Sequence, residues 1–183
     1  MYGKYYKKRY KQLASFIPPN VSVTDLCSGD SALYRFALRG RNKYTGIDIN
    51  PLFNQNNQNI KIIKADILKY SIPTSDYVII QGSLYQFIPN HKVIIDKMLD
   101  IARCKVIISE PIINFINSKN RIISTIAKYG ANPGTGHKNY RFTSKLLKNY
   151  IQKYYNGYLE NIAFIAGRRD MVIILNAGNK VIL

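Results

Sequence analysis

The stretch Val23-Thr24-Asp25-Leu26-Cys27-Ser28-Gly29-Asp30-Ser31 decides the fold of this chain. The apolar run at 21–26 predicts a buried strand, the small residues after it predict a tight turn, and the periodicity at 31–38 predicts a helix. Asp48 ends a second predicted strand, 19 residues after Gly29. A strand, a tight loop and a carboxylate about 20 residues later are typical of a nucleotide-binding unit. We therefore expect the loop to hold the polar part of a ligand and Asp48 to accept hydrogen bonds from two ribose hydroxyls.

The loop departs from the dinucleotide fingerprint G-x-G-x-x-G, because Gly29 is its only glycine. Cys27 and Ser31 stand where that fingerprint requires glycine, so a pyrophosphate would be poorly approached by the backbone. Asp25 and Asp30 add negative charge, which repels phosphate. The same charge suits a cationic ligand that carries an ammonium and a sulfonium.

At these positions the sequence resembles the class I S-adenosylmethionine-dependent methyltransferases. Their first motif has the form (D/E)-x-G-x-G-x-G, and residues 25–31 are a degenerate version of it. The resemblance covers roughly residues 21–175 and rests on the order of the motifs more than on any single motif. It implies that S-adenosylmethionine is the cofactor.

The resemblance also assigns cofactor contacts residue by residue. Asp25, the acid before the loop, is expected to reach the methionine amino group, and Asp48 to bind the ribose. Asp66, which closes the third predicted strand, is expected to face the adenine amino group, although it could simply cap the following turn. The expected cofactor-binding residues are Asp25, Cys27, Gly29, Asp48, Ile49, Asp66, Ile67, Gln81 and Gly82.

The expected catalytic residues are His137, Tyr85 and Glu110. Methyl transfer from a sulfonium is an in-line displacement, so the protein mainly positions two reactants and, for some acceptors, removes a proton. His137 is the best candidate base because an imidazole ordinarily titrates near neutrality and the loop at 130–139 could close over a substrate. Simpler roles stay open: His137 as an ordinary loop residue, Tyr85 as a packing residue and Glu110 as the partner of a neighbouring arginine.

The end of the fourth predicted strand indicates the class of acceptor. Its sequence is Gln81-Gly82-Ser83-Leu84-Tyr85. Family members that methylate base nitrogens or glutamine amides commonly carry (N/D/S)-P-P-(Y/F) at this point, and that motif is absent here. The resemblance therefore favours the small-molecule branch, with a polar or anionic acceptor.

Strand and helix signals alternate along the chain, which predicts an α/β fold with parallel strands and a closing antiparallel hairpin. Asn50 and Pro51 predict a short helix after the second strand, and another helix is predicted at 114–128. The resemblance implies a Rossmann-like, seven-stranded, mostly parallel sheet in the order 3-2-1-4-5-7-6, with the last strand antiparallel and helices on both faces.

The whole chain, 1–183, is expected to form a single domain. Its parts would be a basic N-terminal helix or lid at 1–19 and a Rossmann-like core at 20–183. The net charge is +17, and lysines alternate with tyrosines near the N-terminus. Such a pattern can bind a single-stranded nucleic acid, an anionic membrane surface or a small anionic substrate, or can simply be a solvated helix.

Several classes of protein are disfavoured. No apolar run is long enough for a membrane span, and no hydrophobic segment follows the basic N-terminus as in a secretory signal. Cys27 and Cys104 form neither a disulfide framework nor a metal-ligand spacing, so we expect no metal and a cytoplasmic location. Three hypotheses remain: a small-molecule methyltransferase, an RNA methyltransferase, and a non-catalytic nucleotide-binding module. The sequence does not define the oligomeric state.

Overall fold

The computed structural model describes residues 3–112 and 141–179. Seven strands lie in these ranges: β1 Ser22–Leu26, β2 Lys43–Asp48, β3 Ile60–Lys64, β4 Ser75–Gln81, β5 Ala102–Pro111, β6 Leu159–Ile165 and β7 Asp170–Asn176. The α-helices described are α1 Tyr6–Ala14, α2 His91–Ile101 and α3 Ser144–Tyr155. A π-helical segment occupies Tyr34–Leu38.

The seven strands form one sheet in the order β3-β2-β1-β4-β5-β7-β6. Strands β1 to β5 are parallel, and β7 runs antiparallel to both β5 and β6. The predicted strand order and the antiparallel last strand are thereby confirmed. Because Pro111 pairs with Asp170, the turn between β6 and β7 lies at the edge where the parallel strands end. We call this edge of the sheet, where β1 to β5 end, the carboxyl edge.

The sheet separates two apolar cores, since its central strands are buried on both faces. The core on one face contains the apolar rows of α2 and α3, including Ile95 and Ile151. The core on the other face contains Leu13 of α1 and Leu38 of the π-helical segment. Helices therefore cover both faces, as predicted.

Helix α1 is fixed to the sheet by polar as well as apolar contacts. Leu13 and Ala14 are buried in the second core. The guanidinium Nε of Arg9 lies 2.8 Å from Asp170 Oδ2, and both side chains are buried. The Ala166 N–H donates to Gln12 Oε1 over 2.9 Å. The basic N-terminal helix predicted as a lid is thus packed into the body of the fold.

The short helix predicted at Asn50 and Pro51 does not form. The Asn50 N–H donates to Asp48 Oδ1 over 2.8 Å, and the Leu52 N–H donates to the Gly29 carbonyl over 3.0 Å. These bonds hold the segment against Asp48 and the first loop, so tertiary contacts override the local helix-start signal.

Some predicted elements cannot be compared. The helix predicted at 114–128 and the loop predicted at 130–139 lie outside the described residues. Within the described ranges, no helix has the length and apolar character needed to cross a membrane.

Candidate cofactor and acceptor site

The loop after β1 has a left-handed backbone at every second residue. The φ angles are 56° at Cys27, 52° at Gly29 and 52° at Ser31. Glycine adopts this conformation without cost, whereas a residue with a side chain loses on the order of 1 kcal/mol. A Cβ atom added to Gly29 would meet nothing within 4 Å. The tip of the loop therefore borders open space at the carboxyl edge, where parallel α/β sheets bind ligands.

Asp48 lies against this loop. The Gly29 N–H donates to Asp48 Oδ2 over 2.9 Å, and Asp48 Oδ1 accepts the N–H of Asn50. A carboxylate has about four acceptor positions, so two remain for hydroxyl groups of a ligand. The half-buried carboxylate is thus held at the end of β2 by two backbone donors.

Gly46 allows the loop to lie close to β2. A Cβ atom there would lie 2.8 Å from Ser28 Oγ and 3.0 Å from Ile62 Cδ1. A side chain here would force these neighbouring side chains to move, so the close approach favours glycine. Gly46 is not among the site residues predicted from the sequence, although a glycine inside a strand often marks such a close approach.

Asp25 faces the interior of the protein. Its side chain is only 1% exposed, and Oδ2 accepts hydrogen bonds from the Tyr44 hydroxyl at 2.7 Å and from Gln81 Nε2 at 3.1 Å. Burial raises the pKa of Asp25 to about 7, although the two hydrogen bonds oppose that shift. Tyr44 is not among the site residues predicted from the sequence. It could have been noticed because a tyrosine hydroxyl in a predicted buried strand needs a hydrogen-bond acceptor.

Gln81 connects Asp25 to the carboxyl edge. Because Nε2 donates to Asp25, the amide oxygen Oε1 points elsewhere; Oε1 is buried and has no hydrogen-bond partner. The next residue, Gly82, has φ 58° and donates its N–H to the Ser109 carbonyl. The end of β4 therefore presents one unused buried acceptor.

The remaining residues of the expected cofactor set differ in exposure. Ile49 is 56% exposed at the end of β2, and Ile67 is buried in the core beside α2. Asp66 Oδ1 accepts the Leu68 N–H over 2.9 Å, the turn-capping contact that was its alternative role. Burial raises the pKa of the Cys27 thiol to about 12, so this thiol stays protonated near neutral pH.

Glu110 accepts hydrogen bonds from two backbone N–H groups. Its Oε1 accepts the N–H groups of Ser83 at 2.9 Å and Leu84 at 2.8 Å, and the residue is 1% exposed. Burial raises the pKa of Glu110 to about 7, while the two amide hydrogen bonds lower it. These contacts fix the start of the 3₁₀ turn Leu84–Phe87, which carries Tyr85.

Tyr85 is covered by a cation. The guanidinium carbon of Arg141 lies 3.3 Å from the centroid of the buried Tyr85 ring. Arg168 and Arg169 add positive charge from the turn between β6 and β7. His137, the expected base, lies outside the described residues, so its distance from Tyr85 and Glu110 is not defined.

Acidic residues are concentrated at the carboxyl edge although the chain carries a net charge of +17. Of the ten Asp and Glu residues in the sequence, six lie at this edge: Asp25, Asp30, Asp48, Asp66, Glu110 and Asp170. No group of His, Cys, Asp and Glu within the described residues could hold a metal ion.

Known structures share this fold. Magnesium protoporphyrin IX methyltransferase (ChlM) from Synechocystis PCC 6803 with bound SAH superposes with a TM-score of 0.63 at 15% identity, over 94% of this chain and 83% of that one. This is the class I methyltransferase fold. The plantazolicin methyltransferase BpumL, in complex with a monoazolic desmethylPZN analog and SAH, superposes with a TM-score of 0.66 at 14% identity, over 94% of this chain and 84% of that one.

One similar chain comes from an assembly that acts on RNA. The Pnkp1/Rnl/Hen1 RNA repair complex gives a TM-score of 0.64 at 13% identity, over 94% of this chain and 41% of that one. No protein-family model matches the sequence, and a search of curated proteins finds no match. The chain therefore shares the class I fold with methyltransferases to which its sequence has little similarity.

Proposed function

We propose that the protein is an S-adenosylmethionine-dependent methyltransferase that acts on a small polar or anionic acceptor. The observation that carries this proposal is the hydrogen bond from the Gly29 N–H to Asp48 Oδ2, in a loop that borders open space. This hydrogen bond supports the proposal because Asp48, which would bind the ribose, then lies beside the loop that would hold the methionine part. The class I methyltransferase fold supports the same conclusion.

The polar groups at the site fit this cofactor. Asp48 would bind the ribose hydroxyls, while Ile49, Asp66 and Ile67 would surround the adenine. The buried oxygen Oε1 of Gln81 has no hydrogen-bond partner, and a cofactor ammonium would supply the missing donor. An unsatisfied buried acceptor costs about 1–3 kcal/mol, which such a contact would recover.

Asp25 would act on the cofactor through Gln81. Its carboxyl group accepts a hydrogen bond from the Gln81 amide, which holds that amide in one orientation, and above about pH 7 it would also place negative charge behind it. S-adenosylmethionine, when bound, supplies the methyl group and the sulfonium leaving group. The ionised form of Asp25 would stabilise the adjacent cations by Coulomb attraction across a short, partly desolvated distance. The remaining residues of the cofactor set, Cys27, Gly29 and Gly82, would contribute through their backbone.

The acceptor would bind beside the turn at 84–87. Arg141, stacked on Tyr85, presents a planar cation that suits a carboxylate or phosphate. Glu110 would be a positioning residue, because its carboxylate accepts the backbone N–H groups of Ser83 and Leu84 at the start of the turn that carries Tyr85. His137 remains the proposed base for acceptors that must lose a proton.

Helix α1 would close one side of the cofactor site. The Tyr6 hydroxyl donates to Asp30 Oδ2 over 3.3 Å, and Arg35 holds the same oxygen at 3.1 Å. These contacts link the N-terminal segment to the loop after β1. Residues 1–19 would therefore support the loop while remaining part of the single domain.

The test combines cofactor binding with methyl transfer. Asp48→Asn keeps the size of the side chain but removes the charge that Gly29 and the ribose would share. We expect it to weaken S-adenosylmethionine binding by tenfold or more, equivalent to about 1.5–3 kcal/mol for charge-assisted bonds. Calorimetry measures the affinity, and Asp100→Asn on exposed α2 surface is the matched control.

Acceptor class is tested with labelled cofactor. Methyl-labelled S-adenosylmethionine is incubated with the protein and with separate small-molecule, RNA and protein fractions of a cell extract. Label in the small-molecule fraction supports the proposal, and label in RNA alone identifies the RNA methyltransferase alternative. Cofactor binding without transfer to any fraction identifies a non-catalytic module. Unchanged affinity in Asp48→Asn would remove Asp48 from the site.

A further inference from the structure

Helix α3 is amphipathic and basic, and one of its rows is apolar yet exposed. Leu147, Ile151 and Tyr155 form the buried row. The adjacent row, Leu146, Tyr150 and Tyr154, repeats every four residues and is here called the α3 stripe; Leu146 and Tyr154 are each 48% exposed. The helix contains three lysines and no acidic residue.

The lysines lie on the exposed side of the same helix. Lys145, Lys148 and Lys153 are exposed. The salt bridges found within the described ranges involve none of them. A surface that combines an apolar row with unneutralised lysines has the composition of helices that lie in the interface of a bilayer.

Helix α2 extends this surface. The His91 ring packs on Tyr150 with centroids 4.3 Å apart, and the Tyr155 hydroxyl donates to Asp96 over 2.8 Å, so α2 and α3 lie side by side. Val93 of α2 is 54% exposed. Two neighbouring helices therefore expose apolar side chains on one face of the molecule.

We propose that the α3 stripe, with Lys145, Lys148 and Lys153, docks on the surface of an anionic lipid bilayer. The lysines would lie among the negatively charged headgroups, where each is worth about 1 kcal/mol. Leu146 would enter the boundary between headgroups and acyl chains, and the tyrosines suit that boundary because each has an apolar ring and a polar hydroxyl. The association is peripheral and needs no spanning helix.

The packing of the aromatic rings favours lipid over nucleic acid. Base stacking needs an open ring face. The Tyr150 ring already packs against the ring of His91 and against the ring of Tyr154, with the Tyr150 and Tyr154 centroids 4.9 Å apart. The exposed aliphatic groups, Leu146 and Val93, offer nothing to a nucleotide but fit an apolar phase.

The position of α3 links docking to the acceptor site. The helix begins at Ser144, close to Arg141, which stacks on Tyr85 at the carboxyl edge. Docking through α3 would therefore bring the acceptor side of the molecule next to the lipid surface. The docking surface itself does not depend on the proposed methyl transfer, so the two can fail independently.

The experiment is vesicle flotation of the full chain. Neutral vesicles of phosphatidylcholine are compared with vesicles that contain phosphatidylserine at about one third. We expect binding to the anionic vesicles only. In the triple variant K145E/K148E/K153E the charge of three lysines is reversed. Its partition coefficient should fall on the order of a hundredfold, because each lysine removed is expected to cost about fivefold and the three factors multiply. The matched control is K43E/K61E/K69E, which changes the same charge at exposed positions elsewhere.

A second pair of variants tests the apolar contribution at constant charge. L146S/Y154S should weaken vesicle binding by roughly tenfold, whereas Leu68→Ser, an exposed leucine after β3, should not. Circular dichroism and an unfolding curve for each variant establish that the fold is retained. Equal loss in the α3 variants and the control variants would overturn the proposal. It would also be overturned by wild-type protein that ignores both vesicles and binds a single-stranded RNA oligonucleotide through the same lysines.

Discussion

Two buried carboxyl groups at the carboxyl edge, Asp25 and Glu110, make stability depend on pH at the level of single residues. Burial raises the pKa of each to about 7, well above its ordinary value. Between about pH 4 and pH 7 the unfolded chain ionises these groups while the folded chain keeps them protonated. The free energy of unfolding should therefore fall as pH rises through this window and level off above it.

Asp25→Asn should flatten part of that slope. The amide stays neutral at every pH and can still contact Tyr44 and Gln81. The difference in unfolding free energy between pH 5 and pH 8 should shrink by at least about 1.4 kcal/mol, the equivalent of one pKa unit. Urea unfolding curves at the two pH values measure it, and Glu110→Gln should act in the same direction. An unaltered slope in Asp25→Asn would show that Asp25 is ionised throughout.

Residue-scale prediction from sequence has a clear limit at this site. The spacing of Gly29 and Asp48 could be recognised because both follow strands in a local βαβ unit, and they do lie in contact. The inward orientation of Asp25 could not, because its partners Tyr44 and Gln81 are 19 and 56 positions away and come together only when three strands pair. The same holds for Glu110, whose backbone donors are 26 and 27 positions away.

At the level of elements, α1 shows how a basic helix is anchored in a chain rich in lysine. Its buried apolar residues, Leu13 and Ala14, are at its C-terminal end, and Arg9 pairs with buried Asp170 one turn earlier. The lysines and tyrosines near the N-terminus suggested a basic helix or a lid. The buried ion pair shows that removal of α1 would take away a cation that binds the buried Asp170 carboxylate.

Arg9→Met should be strongly destabilising. It leaves the Asp170 carboxylate buried without its cation, which typically costs 3–5 kcal/mol. The double variant R9M/D170N should recover much of that loss because the remaining group is neutral. Lys8→Met, on the exposed side of the same helix, should change stability by less than about 0.5 kcal/mol. Urea unfolding curves of the wild type and the three variants measure these changes. A small effect of Arg9→Met would show that the ion pair does not anchor α1.

Elements were predicted better than their local details. The strand order followed from the family resemblance and is confirmed, and the antiparallel hairpin followed from a connection too short for a crossover. The helix start at Asn50 and Pro51 was wrong, because Asp48 and Gly29 take the backbone N–H groups of that segment. A helix-cap signal in the sequence describes only a local preference. The acceptors at Asp48 and Gly29 reach these N–H groups only once the chain has folded.

At the scale of the whole molecule, an acidic edge is set within a basic protein. Six of the ten acidic residues line the carboxyl edge, while the net charge is +17. A cationic ligand that lies next to Asp48 and Asp66 would experience those two acids most strongly, because charges more than about 10 Å away are largely screened at 0.1 M salt. The edge should therefore distinguish S-adenosylmethionine from its demethylated product, which lacks the sulfonium charge.

Salt should reveal this discrimination. As potassium chloride rises from low to high concentration, affinity for S-adenosylmethionine should fall by roughly threefold more than affinity for S-adenosylhomocysteine. Calorimetry with the two ligands at each salt concentration provides the measurement, with the product as the internal control. A rise in affinity for the cationic ligand at high salt would show that repulsion by the surrounding lysines outweighs attraction by the acids.

Strand β3 lies at one margin of the sheet, and within the described residues no strand of the sheet pairs with its outer side. The chain just before it covers part of that side, because Asn57 forms a bridge with Ile60 and the Ile62 N–H donates to Asn56 Oδ1 over 2.7 Å. The sequence of β3, Ile60-Lys61-Ile62-Ile63-Lys64, would be prone to self-association if the lysines were apolar. Lys61 and Lys64 are exposed there and place charge where a second copy would add its own strand. Part of the positive charge of this chain therefore serves colloidal solubility, independently of any ligand.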